Sequence, residues 1–137
     1  SEKLILEQYL TLQEAERDIL LEAITIGARF PINNLRFSPG SDEIPTEALP
    51  ELERLVSQLK QNPNVRIRIE GHSDAIETLD NPELSARRAE AVMRYMVQNG
   101  FSNIEFTGLR DSRPVAPNDT EENRRKNRRV EIMVVDR

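Results

Sequence analysis

The chain has 137 residues, enough for one domain with a real hydrophobic core and a short appendage. Hydrophobic residues are 37% and charged residues 31%, a globular composition with a well-solvated surface, and the net charge of -5 argues against a nucleic-acid clamp. No apolar run approaches the roughly 18 residues that span a bilayer, so the domain itself is not expected to insert in a membrane. The absence of cysteine excludes disulfides, thiolate zinc sites and cysteine nucleophiles.

The sequence opens on Ser1 without a leader-like stretch, as expected of a mature protein or an excised domain. Residues 1–18 mix apolar and charged positions without a period and read as a linker or N-terminal arm, which leaves 19–137 as the folded domain. From Ile19 to Ile32, "ILLEAITIGARFPI" suggests one or two short strands, and "NNLRF" (Asn33 to Phe37) a further strand that ends in the turn-rich "SPGSDE". Leu49, Leu52, Leu55, Val56 and Leu59 then recur at helical spacing, with Pro50 in the first turn and "QNPN" as the stop.

"VRIRIEG" alternates Val65, Ile67 and Ile69 with Arg66, Arg68 and Glu70, the pattern of a strand with one buried and one wet face. A loop from His72 to Asp80 follows. A second helix begins at "NPE", with Asn81 as cap and Pro82 in the first turn, and closes at Gly100. "NIEFTG" (Asn103 to Gly108) is a strand with Ile104 and Phe106 inward, and the last strand begins at Val130. The order predicts an α+β two-layer sandwich, βαβαββ, with helices on one face of a mixed sheet and much of that sheet parallel.

On the second helix Arg88 shares the apolar arc of Leu84, Ser85, Ala89, Val92 and Met96, whereas Arg87 points nearly the opposite way. A buried guanidinium needs an anion, and Asp74, which follows the strand on the same side of the sheet as the start of the helix, is the candidate. Two readings follow. Asp74 and Arg88 form a structural ion pair, or they flank a pocket that grips a ligand carrying both an ammonium and a carboxylate. His72 has no nucleophile or titratable partner arranged around it and reads as a strand-end residue bonded to backbone. The run from Arg124 to Arg129 reads as a solvated helix face entering a strand. Arg128 and Arg129 then point to opposite faces, one of them toward the pocket side.

"IEGHSD", "NPELSARRAEAV" and "RPVAPNDTEENRRKNRRVEI", with "NNLRFSPGSDEI" upstream, closely resemble the signatures of the OmpA C-terminal-like family over about Thr25 to Val135. The family pattern is roughly G-H-T-D, N-x-x-L-S-x-x-R-A and P-x-x-x-N-x-T-x-x-G-R-x-x-N-R-R-V. The resemblance implies a non-enzymatic, cofactor-free and metal-free module that binds the diaminopimelate-containing stem peptide of peptidoglycan in the periplasm. It also implies attachment of a larger outer-membrane or envelope protein to the cell wall through segments outside this chain, and partners among other envelope proteins. The implied ligand-binding residues are Asp74 for the ammonium and Arg88 for the carboxylate, with Asn81, Leu84, Arg128 and the turn Phe37, Ser38 and Gly40.

The sequence departs from the family in three places. Ala75-Ile76-Glu77 replaces the common Asn-Thr-Gly in a loop one residue shorter, which brings an extra negative charge, Glu77, near the ligand. Asn123 replaces a glycine, and Gly108-Leu109-Arg110 replaces a G-x-G turn. The competing expectation is a structural or protein-interaction module of an envelope or secretion complex, in which Asp74–Arg88 is only an ion pair.

Overall fold

The computed structural model describes residues 26–136. The arm at 1–18 and any strand between 19 and 25 lie outside the described residues. A four-stranded sheet runs in the order β1-β4-β2-β3, formed by β1 (Arg29–Pro31), β2 (Arg66–Gly71), β3 (Ile104–Gly108) and β4 (Val130–Asp136). Among the described residues the helices are α1 (Leu49–Lys60), entered through a 3-10 turn at Thr46–Ala48, then α2 (Ala75–Asp80), α3 (Leu84–Gln98) and α4 (Glu121–Asn127).

The apolar periods place the core. Leu52, Leu55, Val56 and Leu59 of α1 and Ala89, Val92 and Met96 of α3 are buried against Ile67 and Ile69 of β2 and Val130, Ile132 and Val134 of β4. Each fully buried aliphatic side chain contributes about 1.5–3 kcal/mol, so the sandwich rests on this cluster. Pro50 lies in the first turn of α1, where its missing N–H costs no bond. Gly100 closes α3 at φ +101°, in the left-handed region that glycine enters freely.

Several expectations need correction. Asn33 to Phe37 is not a strand: Asn34 turns at φ 64°, and the run that follows makes one ladder-like bond, Phe37 N–H to the Arg128 carbonyl. Leu35 and Phe37 are both buried, which produced the alternating pattern without a neighbouring strand to complete it. The sheet is less parallel than expected, since β2 pairs parallel with β3 but antiparallel with β4, which also pairs antiparallel with β1. Strands β1, β2 and β3 do run the same way, and β4 enters between the first two. Phe106 is partly exposed, because β3 is the edge strand. Finally, the outer face of β2 is not uniformly wet: Arg66 is exposed, but Glu70 is buried and paired with Arg29.

The loop expected from His72 to Asp80 contains α2. Asp74 accepts from the Glu77 N–H at 2.8 Å, and the Glu77 carboxylate accepts from the Asp74 N–H at 3.0 Å. This reciprocal capping box satisfies two N–H groups that a helix start leaves free, and it sustains a helix of only six residues.

Two glycines paired across β2 and β3, Gly71 and Gly108, let the first turn of α3 sit directly on the sheet. A Cβ on Gly71 would lie 1.8 Å from the Ser85 carbonyl oxygen, and one on Gly108 would lie 2.5 Å from the Ala86 nitrogen. This close approach fixes the height of Arg88, one turn further along α3, relative to the end of β2.

Candidate functional site

The end of β2, the helix α2, the start of α3 and the turn at 37–41 converge on an open cleft of about 380 Å³. Pro39, Gly40, Asp74, Asp80, Asn81 and Leu84 line it together with Glu121, Arg124 and Arg128. Ile76 and Glu77 complete it from α2. Asp74, Asn81, Leu84, Arg128 and Gly40 thus come together as a set. The helix α3 begins at Leu84 rather than at "NPE", and Asn81 closes the turn before it by accepting from the Glu83 N–H at 3.3 Å instead of capping the helix.

Arg88 lies beneath this cleft, 0% exposed. A guanidinium carries five N–H donors, and here chain oxygens take all of them. Arg88 Nε donates to the Ser41 carbonyl at 2.8 Å. Nη1 donates to Glu77 Oε1 at 2.8 Å and to the His72 carbonyl at 3.1 Å, while Nη2 donates to Glu77 Oε2 at 2.5 Å and to the Ser38 carbonyl at 3.3 Å. The Phe37 ring lies 4.9 Å from the guanidinium carbon, a cation–π contact from inside the core. Phe37 and Ser38 therefore address Arg88 and the interior. The Phe37 side chain is buried, and Ser38 takes part through its carbonyl.

Asp74 and Arg88 make no ion pair with each other, which corrects the structural reading of that pair. Asp74 Oδ2 accepts instead from Arg128 Nη1 at 3.1 Å. Arg128 also donates to the Phe37 carbonyl at 2.8 Å and to Glu121 at 2.6 Å. Arg129 turns the other way, to Glu131 at 3.1 Å and the Arg113 carbonyl at 2.8 Å. The two neighbours do diverge, with Arg128 on the pocket side, although both precede β4.

Glu77 is the partner that Arg88 required. Its carboxylate also accepts from the Gly40 N–H at 2.7 Å, so it fastens α2 to the turn before α1 as well as to α3. Burial pushes the Glu77 carboxyl up, but the Arg88 hydrogen bonds and the Gly40 and Asp74 N–H groups outweigh this and hold it below the usual carboxylate range. A sequence signal for this role existed in the Asp-x-x-Glu spacing of a capping box at Asp74 and Glu77.

A second polar chain steadies α2 from behind. Asn127 accepts from Val115 N–H at 2.8 Å and Ala116 N–H at 3.1 Å, and donates to Asn118, whose Oδ1 accepts from Ala75 N–H at 3.2 Å. His72 is outside the cleft lining. Its main-chain N–H donates to the Arg129 carbonyl, whereas its buried ring nitrogens have no hydrogen-bond partner and Nε2 stands 3.7 Å from Glu131. Burial, with the Arg129 charge, lowers the ring to about 4, so it is neutral at pH 7.

The profile of the OmpA family matches residues 36–128, well over half of the chain. The chain belongs to the OmpA family. Among curated OmpA relatives, Motility protein B of Helicobacter pylori is 33% identical over 123 residues, 82% of this chain and 48% of the relative. The peptidoglycan-binding protein ArfA of Mycobacterium tuberculosis is 42% identical over 87 residues, 61% of this chain and 26% of its own length. The peptidoglycan-associated lipoprotein of Pseudomonas putida is 36% identical over 104 residues, covering 74% and 62%. The chain therefore spans about a quarter to three-fifths of these proteins.

Solved OmpA-family structures agree on the fold. The periplasmic domain of H. pylori MotB superposes with a TM-score of 0.67 at 32% identity, covering 79% of this chain and 74% of that one. The cell wall anchor of the type VI secretion system of Pseudomonas aeruginosa gives 0.62 at 31%, covering 80% of each. The α+β sandwich with a mixed sheet is thus the architecture of this OmpA domain, and no helix among the described residues is long and apolar enough to cross a membrane.

Proposed function

We propose that this OmpA domain is a non-enzymatic peptidoglycan-binding module that anchors a larger envelope protein to the cell wall from the periplasm. The observation that carries the reading is the convergence of the motif residues Asp74, Asn81, Leu84 and Arg128 with Gly40 on one open cleft. In this reading the diaminopimelate-type end of a stem peptide enters the cleft, and its ammonium meets Asp74. Each Asp74 carboxylate oxygen accepts one protein hydrogen bond, from Glu77 N–H and from Arg128, and keeps a lone pair for a further donor. Asp80 and Glu121 add negative charge at the rim. Ile76, partly exposed on α2, offers apolar contact to the aliphatic chain of the diamino acid.

A charge-assisted bond contributes roughly 1.5–3 kcal/mol, so one cleft gives a modest, reversible affinity that many copies on a polymeric wall amplify. Outer-membrane attachment belongs to segments beyond this domain. The test is co-sedimentation with purified sacculi, with calorimetry on a synthetic stem tripeptide. Wild type should sediment and bind, and Asp74→Asn, checked for folding by circular dichroism, should lose at least tenfold in affinity. Absence of wild-type binding rejects the reading, and release of muropeptides from the sacculi rejects its non-enzymatic part.

A second reading has one observation in its favour. Because all of Arg88's donors are used internally, Arg88 also fits a structural module that contacts other envelope or secretion proteins. That reading expects sacculi to leave the protein in the supernatant.

A further inference from the structure

Two buried groups sit where the family pattern places ligand recognition, and they differ in what they have left to offer. Asp74 retains accepting capacity at the edge of the cleft. Arg88 retains none: its donors end on Glu77, Ser38, Ser41 and His72. Glu77 approaches the guanidinium as a bidentate carboxylate, the geometry a ligand carboxylate would adopt. It is held there by four donors, the Asp74 and Gly40 N–H groups and both Nη atoms of Arg88.

We propose that Glu77 is a built-in substitute for the ligand carboxylate, and that the cleft selects a diamino-acid end bearing an ammonium with no free carboxylate beside it. This rests on the wall-binding reading above. Carboxamidated diaminopimelate and lysine both have that chemistry; free-acid diaminopimelate does not.

The surroundings favour this selection. A ligand carboxylate entering the cleft meets Asp74, Glu77, Asp80 and Glu121. To reach Arg88 it must expel Glu77, which leaves the Gly40 and Asp74 N–H groups without their acceptor. The other cations of the lining each face an acidic partner. Arg128 is buried between Asp74 and Glu121, and Arg124 donates to the Asn118 carbonyl at 3.4 Å and stands 3.7 Å from Glu121. An ammonium or a carboxamide N–H, by contrast, finds acceptors on that acidic rim.

Calorimetry on the whole chain with three synthetic stem tripeptides tests the proposal, their third residue being free-acid diaminopimelate, its side-chain carboxamide, or lysine. Wild type should bind the amidated and lysine peptides at least tenfold more tightly than the free acid. Glu77→Gly should raise free-acid affinity at least tenfold by opening the Arg88 fork. A wild-type preference for the free acid overturns the proposal, as does a folded Glu77→Gly that keeps the wild-type ranking. If Glu77→Gly fails to fold, the wild-type ranking decides alone. Failure of all three peptides to bind rejects the wall-binding reading itself, and with it this proposal.

Discussion

The two halves of this domain are held by different physics. Under α1 and the middle of α3, Leu52, Leu55, Leu59, Val92 and Met96 form an apolar cluster with β2 and β4. At the cleft end, Arg88, Glu77, Asp74 and Arg128 are equally buried but charged, and their positions are set by hydrogen bonds to backbone and to each other. The apolar half tolerates a change of shape at a cost that scales with the hole left behind. In the charged half, removal of one partner leaves a buried charge without a counterion.

That contrast orders the expected effects of mutation. Arg88→Ala should be among the most damaging, at about 3–5 kcal/mol, because it strands the Glu77 carboxylate and empties a cavity beside Phe37. Urea denaturation measures this, and a loss below about 1 kcal/mol would show that the pair is not the keystone of the cleft end. Leu55→Ala in the apolar half should cost about 2–5 kcal/mol in the same experiment. Gly71→Ala should cost about 1–3 kcal/mol or more, since its Cβ meets the rigid Ser85 carbonyl rather than a flexible side chain. At the small end, Arg66→Ala removes an exposed pair with Glu105 at 3.5 Å and should change stability by less than about 1 kcal/mol.

Acid should act on the polar elements before the apolar ones. The His72 ring is lowered from 6.5 to about 4, so as pH falls below 6.5 the unfolded chain takes up a proton that the folded chain refuses. Stability should decline across that window. It should decline further through the carboxylate range as the unfolded state protonates the carboxylates whose folded pKa is depressed, the buried Glu77 and the exposed Glu121. His72→Gln should flatten the upper part of the curve, read as melting temperature against pH, and an unchanged slope between pH 6.5 and 4 would assign the acid loss elsewhere.

The same division decides what the sequence makes legible. The apolar positions of α1, α3, β2, β3 and β4 follow periods of 3.6 and 2, which place the two helices, three of the strands and Arg88's inward direction. Strand neighbours are not encoded in alternation, so the insertion of β4 beside β2 was out of reach. The short helix α2 carries no apolar period. Leu79 is 85% exposed, and the helix forms through its capping box and the Arg88 contact. The partners of the buried charges were the hardest to read. Asp74 and Arg88 lie close in the family pattern, yet Glu77 stands nearer to the guanidinium in space, because α2 turns the chain back over it. Of the three departures from the family pattern, Ala75-Ile76-Glu77 is the one that reaches the lining of the cleft.

Nitrogen-detected spectra of the Arg88 guanidinium during titration with an amidated stem tripeptide test most directly whether Glu77 stays in place when the cleft fills. At saturation the Arg88 Nε signal and the Gly40 amide should keep their positions, while signals from Asp80 and Glu121 move. If Arg88 and Gly40 instead shift together as ligand is added, Glu77 has left the fork and the ligand has taken it, which contradicts a carboxylate supplied by the chain itself.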